Sequence, residues 1–193
     1  RPQAGSYNSG EHLMASMPSS VRYALSQRWM HWLMFGLVLL AYLFINLFEL
    51  FPKGSATRGN ILAAHFTAGL AVLLLVWPRL WLRLRNGQPP ISPPPPRWSD
   101  WVGKFTHVAL YAFLMVQPIL GVLTLQIGGK AVTLFGVTLL PSFVSHPDRA
   151  LGHQLENIHS WVGTIFYYVI ALHILAALWH HFVRRDDTLK RML

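Results

Sequence analysis

Residues 158–183 read IHSWVGTIFYYVIALHILAALWHHFV, a run without a single Asp, Glu, Lys or Arg. A transmembrane helix needs roughly 20 mainly apolar residues, and this run exceeds that length. A polar side chain is costly in hydrocarbon, so the histidines inside the run are functional candidates by default. His159 and His173 stand 14 residues apart. That is close to four helical turns, so both fall on one face of the helix, about 21 Å apart along its axis. The separation is too long for one metal centre and suits two haems stacked across a membrane, one towards each surface.

Working outward, three more stretches reach the same length: about 29–51, 61–82 and 105–127. The 193-residue chain is 53% hydrophobic and only 12% charged, half the charge of an ordinary soluble domain. It has no cysteine, which excludes disulfides, iron–sulfur clusters and thiolate zinc sites and leaves its ten histidines as the abundant metal ligands. A proline tract, Pro89-Pro90 and Pro93 to Pro96, cannot be helical and separates two helical hairpins. Ala131 to Val144 is apolar but short and broken by Gly136 and Pro141, which predicts an interfacial loop and not a fifth span. Residues 1–25 read as a flexible tail without the apolar core of a signal peptide, and 187–193 as a C-terminal tail. The fold class expected is an all-α integral membrane protein, a four-transmembrane-helix bundle over residues 26–186 enclosing two haems.

The basic residues sort by side. Arg22, Arg28, Arg79, Arg83, Arg85, Arg97, Lys104, Arg184, Arg185, Lys190 and Arg191 flank one set of span ends; Lys53, Arg58, Lys130 and Arg149 flank the other. By the positive-inside rule both termini are cytoplasmic. The net charge of +9 is therefore topological. A nucleic-acid partner is excluded because the cations flank spans and do not interleave with stacking aromatics.

Span alternation also sets depth. His31, near the start of the first span, lies at the cytoplasmic depth of His173, and His65, four residues into the second, at the outer depth of His159. A zinc or copper site would need its ligands at one depth, and these are split between two. His107, at the cytoplasmic start of the third span, is an alternative to His31 as ligand, or a propionate or packing contact. His180 and His181 end the fourth span, where an imidazole can bind a quinone carbonyl and pass it protons; an ordinary interfacial pair is the other reading. Arg79 suits a haem propionate or a quinone, or snorkels to lipid phosphate. The eight Trp sit mostly at span ends as an aromatic belt, and Gly36, Ala63, Ala64, Ala68 and Gly69 permit close approach. His12, His146 and His153 lie in tail or loop and read as solvated.

The run Arg28-Trp29-Met30-His31-Trp32, the step Ala64-His65-Phe66, His107, the His159 to His173 spacing and the ending Leu178-Trp179-His180-His181-Phe182 resemble the prokaryotic cytochrome b561 family. Within it they are most similar to the dihaem superoxide oxidases. The likeness runs from Ser26 to Leu193. It implies a bacterial inner-membrane location and haem b bound by His31 with His173 and by His65 with His159, the pairs that depth gives. It further implies a ubiquinone site at His180 and electrons passing from superoxide through both haems to ubiquinone; quinone reduction needs protons, so proton donors belong at that end, where His180 and Asp187 are available. Lys53, Arg58, Lys130 and Arg149 are then the cations available to steer an anion, or simply solvated loop charges. The alternative function is a cytochrome b electron-transfer subunit that serves a partner redox protein, a dehydrogenase or hydrogenase.

Overall fold

The computed structural model describes residues 22–134 and 137–193. Most of the N-terminal tail, with His12, and Gly136 lie outside the described residues. Four long helices dominate: α1 Leu25–Phe48, α2 Ala56–Asn86, α3 Arg97–Ile127 and α4 Arg149–Trp179, the last continuing as a π-helical turn, His180–Arg184. All four are long and apolar enough to cross a membrane. Each contains most or all of an apolar run and, α1 apart, extends well past it, because the run marks the lipid-facing part while capping residues set the ends. Ser55 caps α2 by accepting from Arg58 N, Asp148 caps α4 by accepting from Leu151 N, and α3 starts directly after Pro96, where the proline tract ends. Pro78 and Pro118 lie inside α2 and α3, as membrane helices tolerate.

The helices pack as two hairpins, α1 on α2 and α3 on α4, joined by α2 against α3. Met34, Val72 and Val76 form a small buried core, flanked by Leu37, Val38, Leu75, Tyr111, Leu114 and Met115. Between α3 and α4, Phe113 stacks on Phe166 with ring centroids 4.0 Å apart. Large apolar side chains such as Leu74, Phe105 and Tyr168 stay exposed on the outside, which lipid tails favour as much as a protein interior does.

The loop expected over Ala131 to Val144 contains an antiparallel pair, β1 Val132–Leu134 with β2 Val137–Leu140, packed beside α2 and α3; it is not a fifth span. The connection is tight where it meets α4. A Cβ at Gly152 would lie 3.1 Å from the Gly128 backbone, and Gly129 has φ +75°. This is the hairpin end of the bundle.

At the opposite, terminal end, the segment read as a C-terminal tail is folded back. Arg185 takes a left-handed conformation, φ 56°, and reverses the chain after the π-helical turn. Asp187 then exchanges backbone and side-chain bonds with Ser92 of the proline linker, at 3.1 and 2.9 Å. Arg191 donates to Pro89 O and pairs with Asp187 at 3.4 Å. Trp32 Nε1 donates to Met192 O at 2.9 Å, and Tyr23 N to Arg191 O at 3.1 Å. The last residues thus bind the linker and the start of α1 together.

Candidate functional site

Two pairs of histidines face each other across the hairpin interface. His65 of α2 and His159 of α4 have ring centroids 6.3 Å apart and planes at 89°. His31 of α1 and His173 of α4 have centroids 6.5 Å apart and planes at 73°. A metal ion bonded to two imidazole nitrogens at about 2 Å each puts the ring centroids about 6 Å apart. Both spacings therefore fit one ion bridged by two rings, as in a bis-histidine haem. Among the described residues no group of three or more metal-ligating side chains could hold an ion, so the paired arrangement is the one on offer.

At the hairpin end the tautomers are set by backbone. His65 Nδ1–H donates to Ala41 O at 2.9 Å, and His159 Nδ1–H donates to Gln117 O at 3.1 Å. A carbonyl only accepts, so both rings carry their proton on Nδ1 and leave Nε2 free to bind a metal. Gln117 fixes this contact from a second direction, since its Nε2 donates to His159 O at 2.7 Å. Gly121, one turn further along α3, gives the ring room: a Cβ there would lie 3.3 Å from His159 Cε1. Near this pair α1 and α4 are also joined by Tyr42 OH donating to Gly163 O at 2.8 Å and by Asn46 Nδ2 donating to Tyr167 OH at 2.6 Å.

At the terminal end the setting is charged. Arg79 Nη2 donates to His31 Nδ1 at 2.9 Å and Arg79 Nη1 to Met30 O at 3.3 Å. A neutral His31 so bonded holds its proton on Nε2, and binding a metal through that nitrogen requires Arg79 to turn to another acceptor. A carboxylate is the acceptor its fork matches best, and Arg79 Nε is buried without a partner. Arg79 and Arg83 both sit over the Tyr111 ring, at 5.7 and 5.6 Å. His107 is the third imidazole here, 5.7 Å from His173 between centroids, closer than His31.

Beyond His173, the His180 side chain is 13% exposed and its Nδ1 lies 2.6 Å from Asp186 Oδ2. His181 Nδ1 is buried without a partner. Asp187, singled out in sequence as a proton donor, is instead taken up by Ser92 and Arg191. Asp186, Thr188, Arg83, Tyr111 and Gln117 escape sequence reasoning, because their partners lie across helix contacts or beyond a reversal that no helical period registers.

The four cations named for anion steering gather at the hairpin end. Lys53, Lys130 and Arg149 are exposed. Arg58 is partly buried, donating to Phe51 O at 2.7 Å with its guanidinium over Phe48 at 3.8 Å. His146 and His153 are exposed, and His153 lies 3.6 Å from Glu156.

Comparison with known proteins identifies the family. Residues 22–193 match the family described as prokaryotic cytochrome b561. The chain is 34% identical over 172 residues to Cytochrome b561 homolog 1 of Escherichia coli, covering 89% of this chain and 97% of that protein. It is 33% identical over 175 residues to the Probable superoxide oxidase CybB of Yersinia pestis, covering 89% and 96%. Cytochrome b561 homolog 2 of Escherichia coli is 34% identical over 109 residues, covering 53% and 57%. Four spanning helices, paired imidazoles at two depths and these matches place the chain in one group: it belongs to the prokaryotic cytochrome b561 family, multi-pass bacterial membrane electron-transfer proteins that bind haem b.

Proposed function

We propose that the protein oxidises superoxide at the hairpin end, outside the cytoplasmic membrane, and reduces ubiquinone at the terminal end, on the cytoplasmic side. The observation that carries this reading is the presence of two imidazole pairs at two depths, each at the spacing of one bridged metal ion. His65 with His159, and His31 with His173, would hold the iron of the two haems. Bound haem b supplies one-electron redox chemistry at iron.

The protein's own groups divide the remaining work. Lys53, Arg58, Lys130 and Arg149 give the hairpin end a positive field that raises the local concentration of a small anion. Ala41 O and Gln117 O hold the imidazoles of His65 and His159 in the ligating tautomer. Arg79 holds a propionate carboxylate at the terminal pair, with His107 packed beside it. His180 meets the quinone carbonyl and passes it protons. The eleven-to-four asymmetry of cations supports the proposed orientation, and the name of the Yersinia pestis relative supports superoxide as the donor.

Stopped-flow mixing of the purified oxidised protein with superoxide tests the reading. The haem absorption is expected to shift to the reduced form, and an added ubiquinone to return it to the oxidised form. Haems that stay oxidised with superoxide, yet are reduced by a partner dehydrogenase, would transfer the protein to the electron-transfer subunit class.

A further inference from the structure

The carboxylate of Asp186 is fully enclosed, with a side chain 0% exposed, and every bond it makes serves one arrangement. Oδ2 accepts from His180 Nδ1 at 2.6 Å and from Arg184 Nε at 3.3 Å. Oδ1 accepts from Thr188 N at 3.0 Å, and Thr188 Oγ1 lies 3.5 Å from the same His180 nitrogen. The left-handed Arg185 makes this geometry by folding the chain back beneath the ring, where Asp186 N donates to His180 O at 3.2 Å. The Asp187 and Arg191 bonds to the proline linker then hold the fold in place. A buried carboxylate and a slightly exposed imidazole, clamped together from two sides, form the base–orienter pair seen wherever a histidine must present one chosen nitrogen.

We propose that Asp186 is a positioning residue for quinone reduction: it keeps the proton on His180 Nδ1, so that Nε2 alone takes up and delivers protons. This rests on the reading of His180 as the quinone contact. As the quinone is reduced, the Nε2–H bond of protonated His180 breaks and an O–H bond forms on the carbonyl oxygen that faces it, while the far oxygen takes its proton from water. The imidazole left behind keeps Nδ1–H bonded to Asp186, so its basic nitrogen is again Nε2, which takes the next proton from water at the terminal end. Two electrons and two protons convert the quinone to the quinol, and Asp186 stays ionised throughout. Burial pushes its carboxyl upward, but the hydrogen bonds from His180 and Thr188 outweigh this and hold it below the usual carboxylate range.

The test uses the full chain carrying both haems, reduced and then mixed with a short-chain ubiquinone while haem reoxidation is followed. Asp186→Asn is expected to lower the maximal rate about 10- to 100-fold, the range of a lost orienting partner. The half-saturating quinone concentration and the haem spectra should stay as they are. Asp186→Glu should recover most of the rate. His180→Ala should be as slow as Asp186→Asn, and the double variant no slower than His180→Ala, since groups acting as a unit are not additive. Where Asp186→Asn does not accumulate, Asp186→Ala carries the same expectation. A wild-type rate in Asp186→Asn beside a slow His180→Ala overturns the role of Asp186 and leaves the quinone reading standing. A wild-type rate in His180→Ala overturns both. Haem loss, or a raised half-saturating concentration without a slower maximal rate, assigns Asp186 to structure alone.

Discussion

The two ends of the bundle hold imidazole pairs of nearly equal spacing, 6.3 and 6.5 Å, with different immediate partners. At the hairpin end the partners of both rings are main-chain carbonyls of α1 and α3. Such partners cannot rotate away, so the rings are preorganised whatever lies between them. At the terminal end His31 is held by the side chain of Arg79, with Arg83 a turn away on the same helix and His107 alongside. Fixed dipoles secure geometry, while a side-chain cation tunes charge. A positive group near a haem favours its reduced form, so with haem at both pairs, as proposed, Arg79 and Arg83 would make the terminal one the better electron acceptor. Under the proposed function, electrons entering at the hairpin end would then run downhill towards the terminal end.

The largest effect is expected from deleting ligands one pair at a time. His65→Ala or His159→Ala should lose the hairpin-end haem alone, and His31→Ala or His173→Ala the terminal one, leaving about half the haem per protein by absorption. Depletion of the same haem by His31→Ala and His65→Ala would break the comparison at its root. Next in size, Arg79→Gln should keep both haems and lower the midpoint potential of the terminal one by tens of millivolts, where about 59 mV is a tenfold change for one electron. A redox titration checks this, and an equal shift in both haems would erase the proposed asymmetry.

A smaller effect is expected from pH. Asp186 is held below the usual carboxylate range by its bonds to His180 and Thr188. A carboxyl depressed on folding stabilises the protein above its unfolded value, about pH 4, and that stability is lost as pH falls through the lower folded value. The thermal unfolding temperature in detergent should therefore drop as pH falls below about 4, and less steeply in Asp186→Asn than in the parent. The smallest effect belongs to Gly121→Ala. With 3.3 Å between the added Cβ and His159 Cε1, the ring must give by a few tenths of an ångström. The hairpin-end haem should bind less than about tenfold more weakly, with the terminal haem unchanged, as competition for haem with apomyoglobin would measure.

The comparison also shows what a sequence of this kind makes legible. Which histidines face each other follows from two periodicities, the 3.6-residue turn that aligns His159 with His173 and the reversal of direction from span to span. The four helices follow from lipid, which demands about 20 apolar residues and supplies the pattern in bulk. What stays hidden depends on contacts without a period. Asp186 and Asp187 are indistinguishable as neighbours in the chain, yet the left-handed Arg185 sends one to His180 and the other to Ser92. Gln117 reads as one polar residue in an apolar run, and only its place beside His159 gives it a task. The β1–β2 pair was likewise illegible, because a short apolar stretch reads equally as loop, strand or buried turn.

The folded-back C-terminal segment bears on how the protein is made. Met192 O holds Trp32 of α1, and Asp187 and Arg191 hold the proline linker between α2 and α3. These contacts join residues 95 to 160 positions apart, so they cannot exist until the segment after α4 has left the ribosome. The hairpins α1–α2 and α3–α4 can each enter the membrane during synthesis, but the terminal end closes only after all four spans are in place. The end of the bundle that carries His31 and His173 therefore takes its final form only once α4 and the segment after it are in place.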